Sequence, residues 1–138
     1  MHLELRNFTP RGDHVGWLIP IENQREVPFT VQRIYYIYGT QPGITRGKHA
    51  HRTLSQMAVC LQGSCHFQMD DGRNKQEIVL NRRDCGLMIE PMIWHEMNEF
   101  SPDCLLLVLA SDRYDEKDYI RNYSEFIELA TGKPEVVR

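Results

Sequence analysis

No pair among the four cysteines is spaced C-x-x-C, no cluster of basic residues stands out, and no apolar stretch approaches the length of a membrane span. Each absence excludes a class of function. Cys60, Cys65, Cys85 and Cys104 lie mostly in apolar runs, where a reduced thiol behaves as a small hydrophobe, and a reducing compartment is expected. Acidic and basic residues are interspersed and the formal net charge is -3, so the positive footprint that a nucleic-acid polymer requires is missing. The first residues, Met1 to Arg6, show no basic segment leading into an apolar one. The longest strongly apolar stretch, Cys104 to Ala110, is far short of the ~20 residues a bilayer demands. A cytoplasmic protein without membrane contact is expected. Long linkers, repeats and low-complexity tracts are also missing, and 138 residues, 41% of them hydrophobic, suffice for one core. A single domain over residues 1–138 follows.

What is present between Trp17 and Ala110 is a series of short β-type runs divided by turn residues. Cys65, Phe67 and Met69 alternate with His66 and Gln68, and Asp71-Gly72 then predicts a tight hairpin turn, with Ile78 and Leu80 on the returning strand. Val31 to Tyr38 reads as a strand with Arg33, Tyr35 and Ile37 on one face and Ile34, Tyr36 and Tyr38 on the other. Leu105 to Leu109 is apolar throughout, as in a strand covered on both sides. The period then changes: Tyr119, Ile120, Tyr123, Phe126, Ile127 and Ala130 recur at helical spacing, and Gly132 and Pro134 supply a stop. The expected fold is all-β, a sandwich or barrel closed by one C-terminal helix.

Residues Gly43 to Gly63 read G-x5-H-x-H-x4-Q-x6-G, and Gly86 to Asn98 read G-x4-P-x3-H-x2-N. Together they approach the two-part signature of cupin barrels. Period two in a strand points His49 and His51 to the same face, while Gly47 lets the chain bend beside them. His95 follows Pro91 and Trp94 beyond the end of a second strand, Leu87 to Glu90, and barrel closure can bring it to the same cavity. Three histidines suit a transition metal, but the place where metal cupins usually carry a carboxylate holds Gln56, a weaker ligand without charge. The metal-free alternative is general acid–base chemistry, in which a pair of imidazoles splits the work between carbon and oxygen. His2, His14 and His66 fall outside the pattern and read as ordinary surface or core residues.

Arg33, Arg46 and Arg121 flank these segments, and bidentate guanidinium groups suit the oxygens of a pyrophosphate. Tyr36, with its neighbours Tyr35 and Tyr38, offers a ring for a nucleobase and a hydroxyl for a sugar. Glu90 sits where a strand ends beside the expected mouth. A nucleotide-sugar fits this set.

Several segments taken in order, Val27-Pro28-Phe29, Arg33-Ile34-Tyr35-Tyr36-Ile37, Arg46-Gly47-Lys48-His49-Ala50-His51, Cys60-Leu61-Gln62-Gly63-Ser64, Trp94-His95-Glu96-Met97, Leu109-Ala110-Ser111 and Tyr114 to Arg121, resemble the dTDP-4-keto-6-deoxyglucose 3,4-ketoisomerases over nearly the whole chain. The resemblance implies a double-stranded β-helix of jelly-roll type, a homodimer that exchanges N-terminal strands, and catalysis by His49 and His51 with no cofactor and no metal. It further implies a dTDP-linked 4-keto-6-deoxy sugar as substrate, held by Arg33, Tyr36, Arg46, Glu90, His95 and Arg121, and a 3-keto product destined for 3-amino-3,6-dideoxyhexoses of surface glycans. Lys48, Lys117, Val15 and Trp17 depart from the usual pattern. A 3,5-epimerase, a metal-dependent cupin enzyme and a non-catalytic sugar-nucleotide-binding module remain the competing readings.

Overall fold

Alternation along the strands decides which face each sheet buries. The computed structural model describes residues 1–134. It places twelve strands in them: β1 (Leu5–Asn7), β2 (Arg11–Asp13), β3 (Gly16–Leu18), β4 (Arg33–Ile37), β5 (Arg46–His51), β6 (Gln56–Gln62), β7 (Cys65–Asp70), β8 (Lys75–Leu80), β9 (Cys85–Ile89), β10 (Trp94–Asn98), β11 (Leu105–Ala110) and β12 (Tyr119–Ile120). One five-stranded sheet has the order β1-β9-β6-β11-β4, a second has β12-β5-β10-β7-β8, and β2 and β3 form a separate hairpin. All ladder pairings are antiparallel. The architecture is an all-β double-stranded β-helix of the cupin kind.

The two inner faces meet in a core that includes Ala58, Cys60, Cys65, Phe67, Met69, Leu80, Leu87, Ile89, Met97, Leu106 and Val108. Burying each large apolar side chain of this set contributes about 1.5–3 kcal/mol. The residues between them face outward: Met57, Val59, Met88 and Leu109 pack under Phe8, Val27 and the chain that follows β3. On the second sheet, Ala50, Trp94 and Ile120 receive Phe126 of the C-terminal helix.

The barrel interior is graded along its axis. At one end Cys60, Cys65 and Cys104 bring their sulfurs within 4.8 Å of one another, all buried and unbridged. At the other end the inward positions turn polar, with Arg33, Tyr35, His49, His51, Gln56 and His95.

Two expectations need correction. The helix α1 covers only Tyr123–Thr131, whereas Tyr119 and Ile120 are strand, paired with His51 and Ala50. The Asn122 side chain accepts from Glu125 N–H and starts the helix there, while Gly132, with φ of 73°, ends it as expected. The loop between β7 and β8 is longer than a two-residue turn. Asp71 closes it by accepting from the N–H groups of Arg73 and Asn74, with Gly72 at φ of 96°. No helix among the described residues is long and apolar enough to cross a membrane.

Candidate active site

The local backbone of β5 is what aims the first imidazole. Gly47 and Lys48 both have positive φ, 84° and 60°, and the register against β10 slips here, so that His95 opposes His49 while Glu96 opposes Gly47. Lys48 is therefore the extra residue of a β-bulge, a device that redirects a side chain at a barrel rim. A side chain at Gly47 would put its Cβ 2.8 Å from the His95 carbonyl oxygen, so only glycine fits the close approach.

Beyond the bulge His49, His51 and His95 converge. Ring centroids lie 4.9 Å apart for His49 and His51, 4.7 Å for His49 and His95, and 6.2 Å for His51 and His95. The Nδ1 atoms of His49 and His95 lie 3.0 Å from Gly47 O and 3.2 Å from Ile93 O. Each ring thus has its other nitrogen available to the interior, because a donor to a carbonyl must carry its proton on Nδ1. Burial, followed by the nearby His51 charge, lowers the pKa of His49 to about 4. Burial likewise lowers that of His95 to about 3, with His49 adding to the effect. For His51 burial also pushes downward, but the Asp118 carboxylate opposes it. Neutral imidazoles capable of accepting a proton are the result at pH 7.

A segment from which sequence reasoning drew only Arg121 as a site residue forms the second wall. A short 3-10 turn, Glu116–Asp118, leads into β12 and lays Tyr119 against both catalytic candidates, with centroids 4.9 Å from His49 and 4.4 Å from His51. Asp118 Oδ2 is 3.2 Å from His51 Nδ1, at ion-pair distance though off the line of a good hydrogen bond. Burial alone raises the Asp118 pKa, but the Thr53 hydroxyl and the N–H groups of Thr53 and Leu54 outweigh it and hold the carboxyl below its usual range. Arg121 lies over the Tyr119 ring at 4.2 Å and makes a two-pronged contact with Glu116. Tyr119 and Asp118 were missed in the sequence because no spacing links them to residues some seventy positions earlier.

The first sheet faces these groups with Arg33, Ala110, Gln56 and Ile89, neighbours in one row across β4, β11, β6 and β9. Arg33 stands over the rings of Tyr35 and Tyr114 at 4.8 and 5.6 Å, and its Nη1 is buried without a partner. A hollow of about 30 Å³ runs beside Arg33, His51, Tyr119, Thr53 and Asp118. A larger one of about 610 Å³ lies elsewhere, on the outward side of the first sheet, lined by Trp17, Leu18, Ile19, Ile21 and Leu107. Its lining is mostly apolar, with Arg83 and Asp84 at its edge, and includes none of the histidines.

The predicted residues divide accordingly. The fold brings His49, His51, His95 and Arg33 together, with Arg121 at the rim over Tyr119. Arg46 is exposed at the start of β5 and near enough to act electrostatically on Tyr35. Glu90 is exposed beyond β9, its Oε2 3.5 Å from Ser55 Oγ. Tyr36 does not share the interior: period two turns it outward, 62% exposed, while Tyr35 faces inward beside Arg33, as the alternation along this strand predicts.

Residues 1–131 match the protein family described as FdtA: WxcM-like, C-terminal. The TDP-4-oxo-6-deoxy-alpha-D-glucose-3,4-oxoisomerase of Aneurinibacillus thermoaerophilus is 48% identical over 126 residues, 91% of each chain. A 3,4-ketoisomerase from Helicobacter canadensis superposes with a TM-score of 0.91 at 47% identity, covering 94% of this chain and 98% of the other. A mutant of the 3,4-ketoisomerase QdtA from Thermoanaerobacterium thermosaccharolyticum, solved with TDP-4-keto-6-deoxyglucose, superposes equally well at 41% identity, covering 95% of both.

Proposed function

The chain belongs to the FdtA family of sugar-nucleotide 3,4-ketoisomerases, and from that premise we propose that it converts dTDP-4-keto-6-deoxyglucose to the 3-keto isomer by proton transfer between His49, His51 and the sugar. The observation that carries this reading is the pair of neutral imidazoles 4.9 Å apart on one strand face. His49 removes the proton from C3. The electron pair of that C–H bond forms the C3–C4 double bond, and the C4 carbonyl oxygen becomes an oxyanion. His51 carries the proton of the C3 hydroxyl to O4, a proton returns to C4, and the carbonyl reappears at C3. Atoms and charge balance with no outside reagent.

Asp118 supports the relay. A fixed carboxylate beside His51 Nδ1 favours the tautomer that keeps a proton on that nitrogen and stabilises the imidazolium formed in transit. Arg33, Arg46 and Arg121 hold the diphosphate, whose negative charge raises the basicity of His49 in the complex. The reaction uses no metal. Gln56 stands where a ligating carboxylate would be, and its carbonyl oxygen is occupied by the Tyr35 hydroxyl. The C3 ketone formed is the carbonyl an aminotransferase requires to install a 3-amino group. Four free, buried cysteines suit the reducing cytoplasm.

The test is His49→Asn with dTDP-4-keto-6-deoxyglucose in deuterated solvent. Turnover and deuterium entry at C3 should fall by at least ~10²-fold, while the fold and dTDP binding persist. Wild-type activity should survive exhaustive chelation. Normal C3 exchange in the variant would refute the assignment, and exchange at C5 instead would identify an epimerase.

A further inference from the structure

Gln56 is 1% exposed at the polar end of the barrel interior, in the same row as Arg33. Its Oε1 accepts from the Tyr35 hydroxyl at 2.7 Å, but its Nε2 has no partner at all. A buried donor left unsatisfied destabilises the fold, and leucine or methionine would fill this space without that cost. A group of this kind in a native structure calls for an explanation, and a catalytic role is one of the few on offer. The orientation of the amide follows from Tyr35. A phenol that donates to Oε1 fixes which end of the amide is the donor, and it leaves Nε2 with an N–H bond that no protein group takes up, at an inward position facing the sheet that carries the imidazoles. Burial raises the Tyr35 pKa to about 12, so the phenol keeps its proton at any working pH.

The isomerisation proposed above requires a group of this kind. An enediolate carries its charge on oxygen, and the two histidines are occupied with protons on C3, C4 and the oxygens between them. A fixed, neutral donor in a dry site stabilises developing negative charge without reorganisation. We propose that Gln56 Nε2 donates the hydrogen bond that stabilises the enediolate oxygen, and that Tyr35 is the positioning residue that fixes the carboxamide for it. The assignment rests on the 3,4-ketoisomerase reading. It gives the glutamine a chemical role at the position where metal cupins usually carry a carboxylate.

Wild type, Gln56→Met, Gln56→Glu, Tyr35→Phe and the double variant Tyr35→Phe/Gln56→Met are compared for kcat and KM on dTDP-4-keto-6-deoxyglucose, C3 deuterium exchange, dTDP affinity and thermal midpoint. Gln56→Met should lower kcat by ~10²–10³-fold, with exchange falling in parallel and dTDP affinity within about threefold of wild type. The double variant removes donor and acceptor together, so its midpoint should match or exceed that of wild type while kcat stays low. Tyr35→Phe frees the amide to rotate and should cost about tenfold in kcat. Gln56→Glu should be slow at pH 8 and gain rate as pH falls, because only the protonated carboxyl can donate. An active wild type beside a Gln56→Met that keeps kcat within about threefold overturns the donor alone. So does a loss of rate in Gln56→Met that the double variant restores together with the midpoint, since that describes a purely structural residue. A wild type that cannot isomerise this substrate overturns the functional reading and the donor with it.

Discussion

Three imidazoles on one dry wall make the native state reluctant to take up protons. His49 and His95 are held at about 4 and 3 by burial, with the charge of His51 adding to it for His49 and that of His49 for His95, while in an unfolded chain both titrate near the ordinary value of 6.5. As pH falls below 6.5 the unfolded state binds protons that the native state refuses, so stability declines toward acid. The slope reaches up to about 1.4 kcal/mol per pH unit for each histidine. It vanishes above pH 6.5, where both states are neutral, and again below about pH 3, where both are charged. Urea midpoints should therefore fall steadily from pH 6.5 to 4, and His95→Gln should show a shallower decline. Midpoints that stay constant across this window would mean that the native imidazoles are solvated. His49, His51 and His95 were legible in the sequence because the two-part pattern fixes them in register on strands that must meet. Asp118 was not legible, since a carboxylate in a loop carries no period and its partner is set only by closure of the barrel. Tyr119 was misassigned for the opposite reason: an aromatic followed by Ile120 joined a helical stripe that begins in fact at Tyr123.

Among the elements, β5 does most to convert fold into chemistry. Its bulge combines Gly47 and Lys48 in the left-handed region, which turns His49 toward the interior instead of continuing a flat ladder. Alanine at position 47 would meet the His95 carbonyl oxygen at 2.8 Å and would also adopt a φ that costs about 1–2 kcal/mol for any residue with a Cβ. Gly47→Ala should thus destabilise by at least about 2 kcal/mol. It should also lower kcat, since the shift falls between two of the imidazoles, and a misplacement of about 1 Å can cost ~10²-fold. Denaturant midpoints and turnover measured together check both parts, and a variant unchanged in both would show that the bulge relaxes freely. The sequence announced a glycine that bends here. It could not announce that Lys48 shares the strain, because a lysine normally avoids positive φ and only the slipped register against β10 imposes it. Strand faces, by contrast, were read correctly along β4, β7 and β11, where alternation or continuous apolarity follows directly from one or two covered sides. The face of Tyr36 was already given by that alternation. Its assignment to the ligand rested on its ring and hydroxyl as partners for a nucleobase and a sugar, while the period places Tyr35 in the interior.

For the whole molecule, several large apolar side chains of one chain stand exposed. Trp17, Leu18 and Val15 of the β2–β3 hairpin are 69%, 61% and 82% exposed, and Ile34, Tyr36 and Tyr38 are exposed along the outward side of β4. The hollow of about 610 Å³ on the first sheet opens between this hairpin and Val59, Leu61 and Leu107. Contiguous apolar patches of this kind mark interaction surfaces. The hairpin belongs to the N-terminal segment, which the family resemblance expects two copies to exchange. We propose a homodimer in which each hairpin arm covers the outer sheet of its partner, with Trp17 as the central anchor. Large aromatic anchors of this type typically carry 2 kcal/mol or more of binding, about thirtyfold in affinity. In light scattering the wild type should have twice the chain mass at micromolar concentration, and Trp17→Glu should shift it to the mass of one chain. That variant should keep its circular dichroism spectrum, because Trp17 supports no core cluster within its own chain. A wild type that stays monomeric at that concentration, or a Trp17→Glu dimer of unchanged affinity, would leave the hairpin as an ornament of the single chain and require another explanation for its exposed tryptophan.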